Sequence, residues 1–201
     1  MGRAIEILAP AGGREQLEAA VRSGADAVYL GLGSFNARAG AENFTDQDLI
    51  DAVSYCHARG VAVHVTLNTL VKDDEIAEVV KNIETIAASG ADAVLIQDLG
   101  VAKLVREHCP GIKMHASTQL AIHNMAGVRL MKQLGFSRVV LARELSLEEI
   151  SMICRSTDLE VEVFIHGALC MCVSGCCYLS SMLGGRSGNR EIGRASCRER
   201  V

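Results

Sequence analysis

Four cysteines crowd into eight residues, Cys170, Cys172, Cys176 and Cys177, and His166 stands four positions before the first of them. Thiolates in such a cluster suit iron–sulfur centres or zinc. A [4Fe–4S] cluster takes four thiolates, whereas structural zinc favours closely spaced cysteine pairs, a pattern that Cys172 and Cys176 match. The adjacent Cys176 and Cys177 seldom both reach one metal, so three of the four are usable together. Two other readings stay open. The thiols can be buried and inert, since free cysteine is among the most buried residue types, or one of them can pair with His166 as nucleophile and base. Gly175, within the cluster, lets the backbone come close to a bulky ligand.

Seven apolar segments precede or lead into the cluster and must position it. A-I-E-I-L-A-P-A-G-G reads as a strand ending in a Pro/Gly turn, and A-D-A-V-Y-L-G as a strand buried on both faces. V-A-V-H-V-T-L-N, A-D-A-V-L-I-Q-D-L-G, K-M-H-A-S-T-Q-L, F-S-R-V-V-L-A-R and L-E-V-E-V-F-I follow as strands three to seven, the last carrying Glu162 to Ile165 into the cluster. S-G-A-D-A-V recurs as an internal repeat. Between strands, apolar residues return at helical spacing. They include Leu17 and Val21, then Leu49, Val53 and Cys56, then Val79, Ile83 and Ile86, then Val101 and Val105, then Val128 and Met131, and finally Ile150 and Ile153. Met152 is assigned to a core stripe with Met131, and Cys56 is a core filler. Thr45 with Asp48, and Ser146 with Glu149, form capping boxes. Glycine closes the helices, at Gly24, Gly60, Gly90 and Gly135 among others.

Strand–helix alternation implies parallel strands with crossover helices. Neither G-x-G-x-x-G nor a P-loop follows the first strand, which disfavours a doubly wound open sheet. A barrel instead predicts polar residues at the C-terminal ends of its strands. Asn36 and Arg38, Asn68, Gln97 and Asp98, His115, Ser117 and Gln119, Arg143 and Glu144, and His166 occupy those positions. The expected fold is therefore α/β, a (β/α)₈ TIM-like barrel truncated after about seven strands. It occupies residues 1–190 as one domain, with a cysteine-rich loop at 166–190. The catalytic candidates are Asn68, Asp98, His115, Gln119, Arg143, Glu144 and His166. Four have a bland counterpart: Asp98 and Glu144 as anions at helix N-termini, Arg143 as the partner of one of them, His115 as a hydrogen-bonded core histidine. His57 and His108 read as solvated helix residues.

The bulk numbers agree with a soluble α/β domain: 201 residues, 49% hydrophobic, formal charge −4. No apolar run approaches the ~20 residues of a membrane helix, and M-G-R-A-I-E-I-L is no signal peptide. A cytoplasmic setting with reduced thiols is expected, and the charge gives no basic footprint for nucleic acid. The last eleven residues, E-I-G-R-A-S-C-R-E-R-V, carry neither period nor cap and match a translated sequencing adapter. Residues 191–201 are thus expected to be a non-native tail, Cys197 drops out as a ligand, and the natural chain is expected to continue. Without the tail the formal charge is −5.

Glu162, Phe164, Gly167, Ala168, Leu169, Cys170, Gly175, Cys177, Leu179 and Ser180 together satisfy the signature of the U-32 (collagenase-like) peptidase family, which this sequence resembles from Glu6 to Arg190. L-A-P-A-G, G-A-D-A-V-Y-L-G, F-N-A-R-A, H-A-S-T-Q and R-E-L-S-L-E-E-I match as well, and the flavour is that of the ribosomal-RNA-hydroxylating branch. The resemblance implies an oxygen-independent hydroxylase of rRNA or tRNA bases, with prephenate as an oxygen source. It also implies a [4Fe–4S] cluster on four cysteines, of which Cys170 and Cys177 would be two and the others would lie beyond G-G-R-S-G-N-R. RNA affinity would then come from missing segments. The alternatives are a collagenase-like peptidase acting on a peptide substrate, and a non-catalytic accessory protein stabilised by zinc. No H-E-x-x-H or G-x-S-x-G protease motif is present.

Overall fold

The structure, a computed structural model, describes residues 5–37, 43–167 and 172–176. Seven parallel strands alternate with six helices: β1 (Leu8–Pro10), α1 (Arg14–Arg22), β2 (Ala27–Gly31), α2 (Asp46–His57), β3 (Ala62–Leu67), α3 (Ile76–Ser89), β4 (Ala93–Ile96), α4 (Leu99–His108), β5 (Lys113–Ala116), α5 (Met125–Gln133), β6 (Arg138–Val140), α6 (Leu147–Ser156) and β7 (Glu160–Glu162). The strands pair in chain order from β1 to β7, every pair parallel. The sheet curls, because Glu6, just before β1, reaches Arg138 of β6 at 2.8 Å. This is the expected barrel architecture, with seven strands among the described residues. No helix among them is long and apolar enough to cross a membrane.

Local chemistry explains the helix boundaries. Thr45 and Asp48 form a reciprocal capping box at the start of α2, and Ser146 and Glu149 do the same for α6. Gly24, Gly60, Gly90 and Gly135 follow α1, α2, α3 and α5 with φ between 72° and 89°, the left-handed geometry that a side chain resists. Glycine closure is not universal, however. α4 ends at Cys109, ahead of Pro110, and α6 runs directly into extended Thr157. β7 also differs from expectation: it stops at Glu162, so residues 163–165 lie outside it, with Phe164 and Ile165 exposed.

Strand parity divides the buried residues in two. Val28, Leu30, Val63, Val65, Val94, Ile96, Met114 and Val139 face outward and pack with the helices, where Leu17, Leu49, Val79, Ile83 and Ile86 are also buried. Cys56 belongs to this layer, and burial pushes its thiol up to about 11, so it is an inert core filler. Met152 does not: it is 60% exposed on α6, because Ile153 takes the inward position there. Leu49→Ala should remove about 2–5 kcal/mol of stability through the cavity it leaves, read as a lower denaturation midpoint with an unchanged slope.

The inward face is of different composition. Barrel interiors are usually filled by branched aliphatic side chains. Here the inward positions include His64 and Thr66 on β3, His115 on β5, Arg138 on β6, and Glu160 and Glu162 on β7. Arg138, whose side chain is 10% exposed, bonds Glu6, Glu160 and Glu162. The barrel interior is thus polar and, in its lower half, carries more carboxylates than cations.

Candidate functional site

The sequence V-S-G-C forms a tight turn closed by the Cys176 N–H on the Val173 carbonyl (3.0 Å), with Gly175 at φ 76°. A positive φ at the third position of a turn is where glycine is required. The turn docks on the barrel mouth through Ser174, which is fully buried. The Ser174 N–H donates to Glu144 Oε1 (2.8 Å), and its hydroxyl lies 3.2 Å from the same oxygen. Ser174 Oγ also accepts from the Arg143 backbone N–H and from Arg143 Nε, each at 3.2 Å. Arg143 Nη2 then donates to the Cys172 carbonyl at 3.2 Å. Gly175 is pressed against β5's exit: a Cβ there would lie 2.2 Å from the Gln119 carbonyl oxygen.

Arg143 and Glu144 therefore hold the cysteine-bearing segment to the barrel. Burial would raise the Glu144 carboxyl, but the hydrogen bonds from Ser174 and the nearby Arg143 guanidinium outweigh it and hold it below the usual range. Its second oxygen faces His123 Nε2 at 3.2 Å, while His123 Nδ1 faces the Ala121 carbonyl. Both ring nitrogens thus meet acceptors. Ser174, Glu144 and His123 are a serine, a carboxylate and a histidine, but the carboxylate sits in the middle. The imidazole does not face the serine hydroxyl, so this is no acyl-transfer triad.

The other rim candidates divide by what they touch. Asp98 caps α4, accepting from the N–H groups of Gly100 (2.7 Å) and Val101 (3.2 Å), and its other oxygen accepts from Val71 (3.1 Å). Three backbone donors occupy it, which is a structural duty. Asn68 accepts from the Ala37 N–H at 3.0 Å and ties the segment after β2 to the end of β3. His166 is exposed, four residues beyond the end of β7. Cys170 and Cys177, like Arg38, lie outside the described residues. Cys172 is half-buried and Cys176 exposed.

His115 and Gln119 belong to a third group. His115 is 1% exposed and neither ring nitrogen has a partner. His64 stands edge-to-face against it, ring centroids 4.7 Å apart, with Nδ1 unpartnered. Burial, reinforced by the Arg138 guanidinium, pushes His64 down to about 4; burial, then His64 and Arg138, push His115 down to about 2. Both rings are neutral at physiological pH. Thr69 Oγ1, Gln97 Oε1 and Gln119 Oε1 are buried without partners as well. His64, Thr69, His123 and Ser174 were not among the sequence candidates. The alternation in V-H-V-T-L marks His64 as inward-facing, whereas nothing local marks Ser174.

Among the described residues no group of three or more His, Cys, Asp or Glu side chains is placed to hold a metal ion. Cys56, Cys109 and Cys154 lie on or beside helices, remote in the fold from the mouth. Among the described residues the thiols held at the mouth are those of Cys172 and Cys176, two soft donors where a [4Fe–4S] cluster takes four.

Comparison with known proteins agrees with this fold. The chain is 40% identical to the 23S rRNA 5-hydroxycytidine C2501 synthase of Escherichia coli (strain K12) over 194 residues, 96% of this chain and 29% of that protein. It is 37% identical to tRNA hydroxylation protein P of the same organism, over 96% of this chain and 43% of the relative. A protein named collagenase from Porphyromonas gingivalis (strain ATCC BAA-308 / W83) is also 37% identical, over 96% and 49%. The chain thus spans less than half the length of each. Among solved structures, the U32 peptidase Mk0906 superimposes with TM-score 0.67 at 16% identity, over 81% of this chain and 69% of that one. Deoxyribose phosphate aldolase from Aeropyrum pernix shares the fold at TM-score 0.54 and 15% identity, over 67% and 63%. The family model described as peptidase family U32 matches residues 12–200, and the chain belongs to that family.

Proposed function

We propose that this chain is part of an oxygen-independent RNA base hydroxylase, modifying rRNA or tRNA in the cytoplasm with prephenate as the oxygen source. The observation that supports the reading is the pinning of residues 172–176 to a barrel mouth lined by buried polar groups. Cys170 and Cys177 flank that turn in sequence and would hold a [4Fe–4S] cluster, together with two thiolates from elsewhere. The cluster would supply one-electron chemistry beside the mouth. The chain's own part is to fix the turn through Ser174, Arg143 and Glu144, and to offer His115, Gln97 and Gln119 to a substrate below it. With formal charge −4, phosphate attraction is assigned to segments outside this chain.

The test is the double variant Cys170→Ala with Cys177→Ala in anaerobically purified protein. Wild type is expected to contain iron and show broad visible absorbance, and the variant to lose both along with RNA modification. A colourless, iron-free protein that still modifies RNA would sink the reading.

The peptidase alternative, supported by the relative named collagenase, would use Cys170 as nucleophile or a rim carboxylate. The central position of Glu144 between Ser174 and His123 argues against a serine mechanism at this site. Cleavage of denatured collagen that survives repurification but vanishes in Cys170→Ser would favour it. A zinc-stabilised accessory role predicts stoichiometric zinc and unchanged RNA modification when the protein is deleted.

A further inference from the structure

We propose that His123 is a positioning residue for the cysteine-bearing turn: as an imidazolium it clamps the Glu144 carboxylate, which in turn holds Ser174. What the turn serves rests on the RNA-hydroxylase reading, whereas the clamp is a property of the fold.

His123 stands between two oxygens that can only accept. Its Nδ1 lies 2.5 Å from the Ala121 carbonyl oxygen and its Nε2 3.2 Å from Glu144 Oε2. A neutral imidazole carries one N–H and one lone pair, so either tautomer sets a lone pair against an oxygen. The imidazolium has a donor for each. Burial opposes ionisation of Glu144, but hydrogen bonds from Ser174 and the Arg143 guanidinium hold its carboxyl below the usual range. It therefore stays an anion at the near-neutral pH where an imidazole changes charge. The charged groups at this contact are Glu144, against the ring, and Arg143, which bonds Ser174 beside the same carboxylate.

The backbone fixes both ends of the contact. Ala121 adopts φ 54° and ψ 46°, a left-handed conformation uncommon for a residue with a side chain. Its N–H bonds the Thr118 carbonyl at 3.0 Å, and its own carbonyl meets the ring. The next carbonyl, of Ile122, accepts from the Ala142 N–H at 3.1 Å, which stitches this stretch to the exit of β6 that carries Arg143 and Glu144. The same loop meets the turn directly where the Gln119 carbonyl lies against Gly175. One loop thus holds the turn twice, through backbone at Gln119 and through His123 and Glu144 at Ser174. Glu144 gives Oε1 to Ser174 and Oε2 to His123, so a ring that loses its charge leaves the carboxylate free to rotate off Ser174. The two side chains are 38% and 34% exposed, and water screening keeps this second hold modest. A contact that needs the charged ring is strongest at low pH and weakens as pH rises past the ring's titration midpoint.

The test is hydrogen exchange of the Ser174 amide, whose N–H donates to Glu144 Oε1 at 2.8 Å. It is followed by NMR between pH 5 and pH 8, in the same samples that give the His123 midpoint from its ring resonances. Protection, corrected for the intrinsic pH dependence of exchange, is expected to fall about two- to fivefold across that midpoint in wild type. His123→Gln can donate to Glu144 without a charge and should show the lower value at both ends of the range. His123→Arg keeps the charge and should hold the higher value throughout. RNA modification is expected to follow the same order. Wild-type protection that is equal on both sides of the midpoint, or His123→Gln that matches wild type at low pH, would overturn the clamp. So would loss of RNA modification in His123→Gln with Ser174 protection unmoved, since the ring would then act on substrate itself. Protection that follows the ring as expected, in a protein that holds no iron and modifies no RNA at any pH, would keep the clamp and remove the hydroxylase reading.

Discussion

Arg138→Met should destabilise the fold by about 3–5 kcal/mol, the cost typical of deleting one partner of a buried ion pair, and lower the melting temperature by roughly 6–20 °C in a chain of this size. The side chain is nearly buried and bonds Glu6 at 2.8 Å, Glu160 at 2.6 Å and Glu162 at 3.4 Å. Removing the guanidinium leaves three carboxylates around an apolar thioether. It also severs the Glu6 link, which joins the chain before β1 to β6 across 132 positions. Arg138→Lys should fall between, because an ammonium keeps the charge but cannot serve three carboxylates from a planar fork. Glu160→Gln should cost far less, since that side chain is half exposed.

The pH dependence of this variant has a definite sign. In wild type, burial raises the Glu162 carboxyl even though Arg138 opposes it. A carboxyl whose folded-state pKa lies above its unfolded value binds more protons when folded, so its contribution falls as pH rises. Without Arg138 that upward shift grows, and Glu6, now held low chiefly by its hydrogen bond to Arg138, loses that support. The deficit of Arg138→Met should therefore be largest above pH 7 and narrow toward pH 5. Wild type runs the other way. His64 and His115 have folded-state values far below 6.5, so the unfolded chain gains protons first and stability drops as pH falls through that region. Melting curves at pH 5 and pH 8 for both proteins check this, and a deficit independent of pH would show that Arg138 acts through packing alone.

The frame was legible in the sequence for physical reasons that differ from element to element. A-D-A-V-Y-L-G and V-A-V-H-V-T-L are buried on both sides, which gives near-continuous apolar runs, and glycines at 24, 60, 90 and 135 punctuate the helices. The polar interior was hidden by the same property. Each strand places only two or three residues inward, so His64, Thr66 and Arg138 read as interruptions of an apolar run rather than as a second face. The rim positions were legible, and so was the place of Asp98 at a helix N-terminus, where it caps α4; that Asn68 holds backbone, and that Arg143 and Glu144 hold Ser174, thirty or so residues downstream, was not. No local pattern announces a contact between a strand exit and a turn that far along the chain.

Gly175→Ala should have the largest functional effect of any single-methyl change, because both of its neighbourhoods exclude a side chain. At φ 76° an L-residue sits in the left-handed region, which costs roughly 1–2 kcal/mol. The added Cβ would lie 2.2 Å from the Gln119 carbonyl oxygen and 3.0 Å from its carbon. These are backbone atoms of the Thr118–Leu120 turn, which is itself held by Ser117 and Thr118. No rotamer change relieves the contact, so the turn carrying Ser174 must lift from the mouth. That movement breaks the bonds to Glu144 and Arg143 and frees Cys172, whose carbonyl Arg143 holds. The expected result is near-normal melting, since the barrel core is untouched, with faster alkylation of Cys172 and, under the proposed hydroxylase reading, severe loss of iron and of RNA modification. Gly111→Ala, at a position with open space around it and at the opposite end of the barrel, is the control and should change none of these. Retention of iron and activity by Gly175→Ala would mean that the docked turn is dispensable to the site, and Arg143, Glu144 and Ser174 would then be surface bonds without a positioning role.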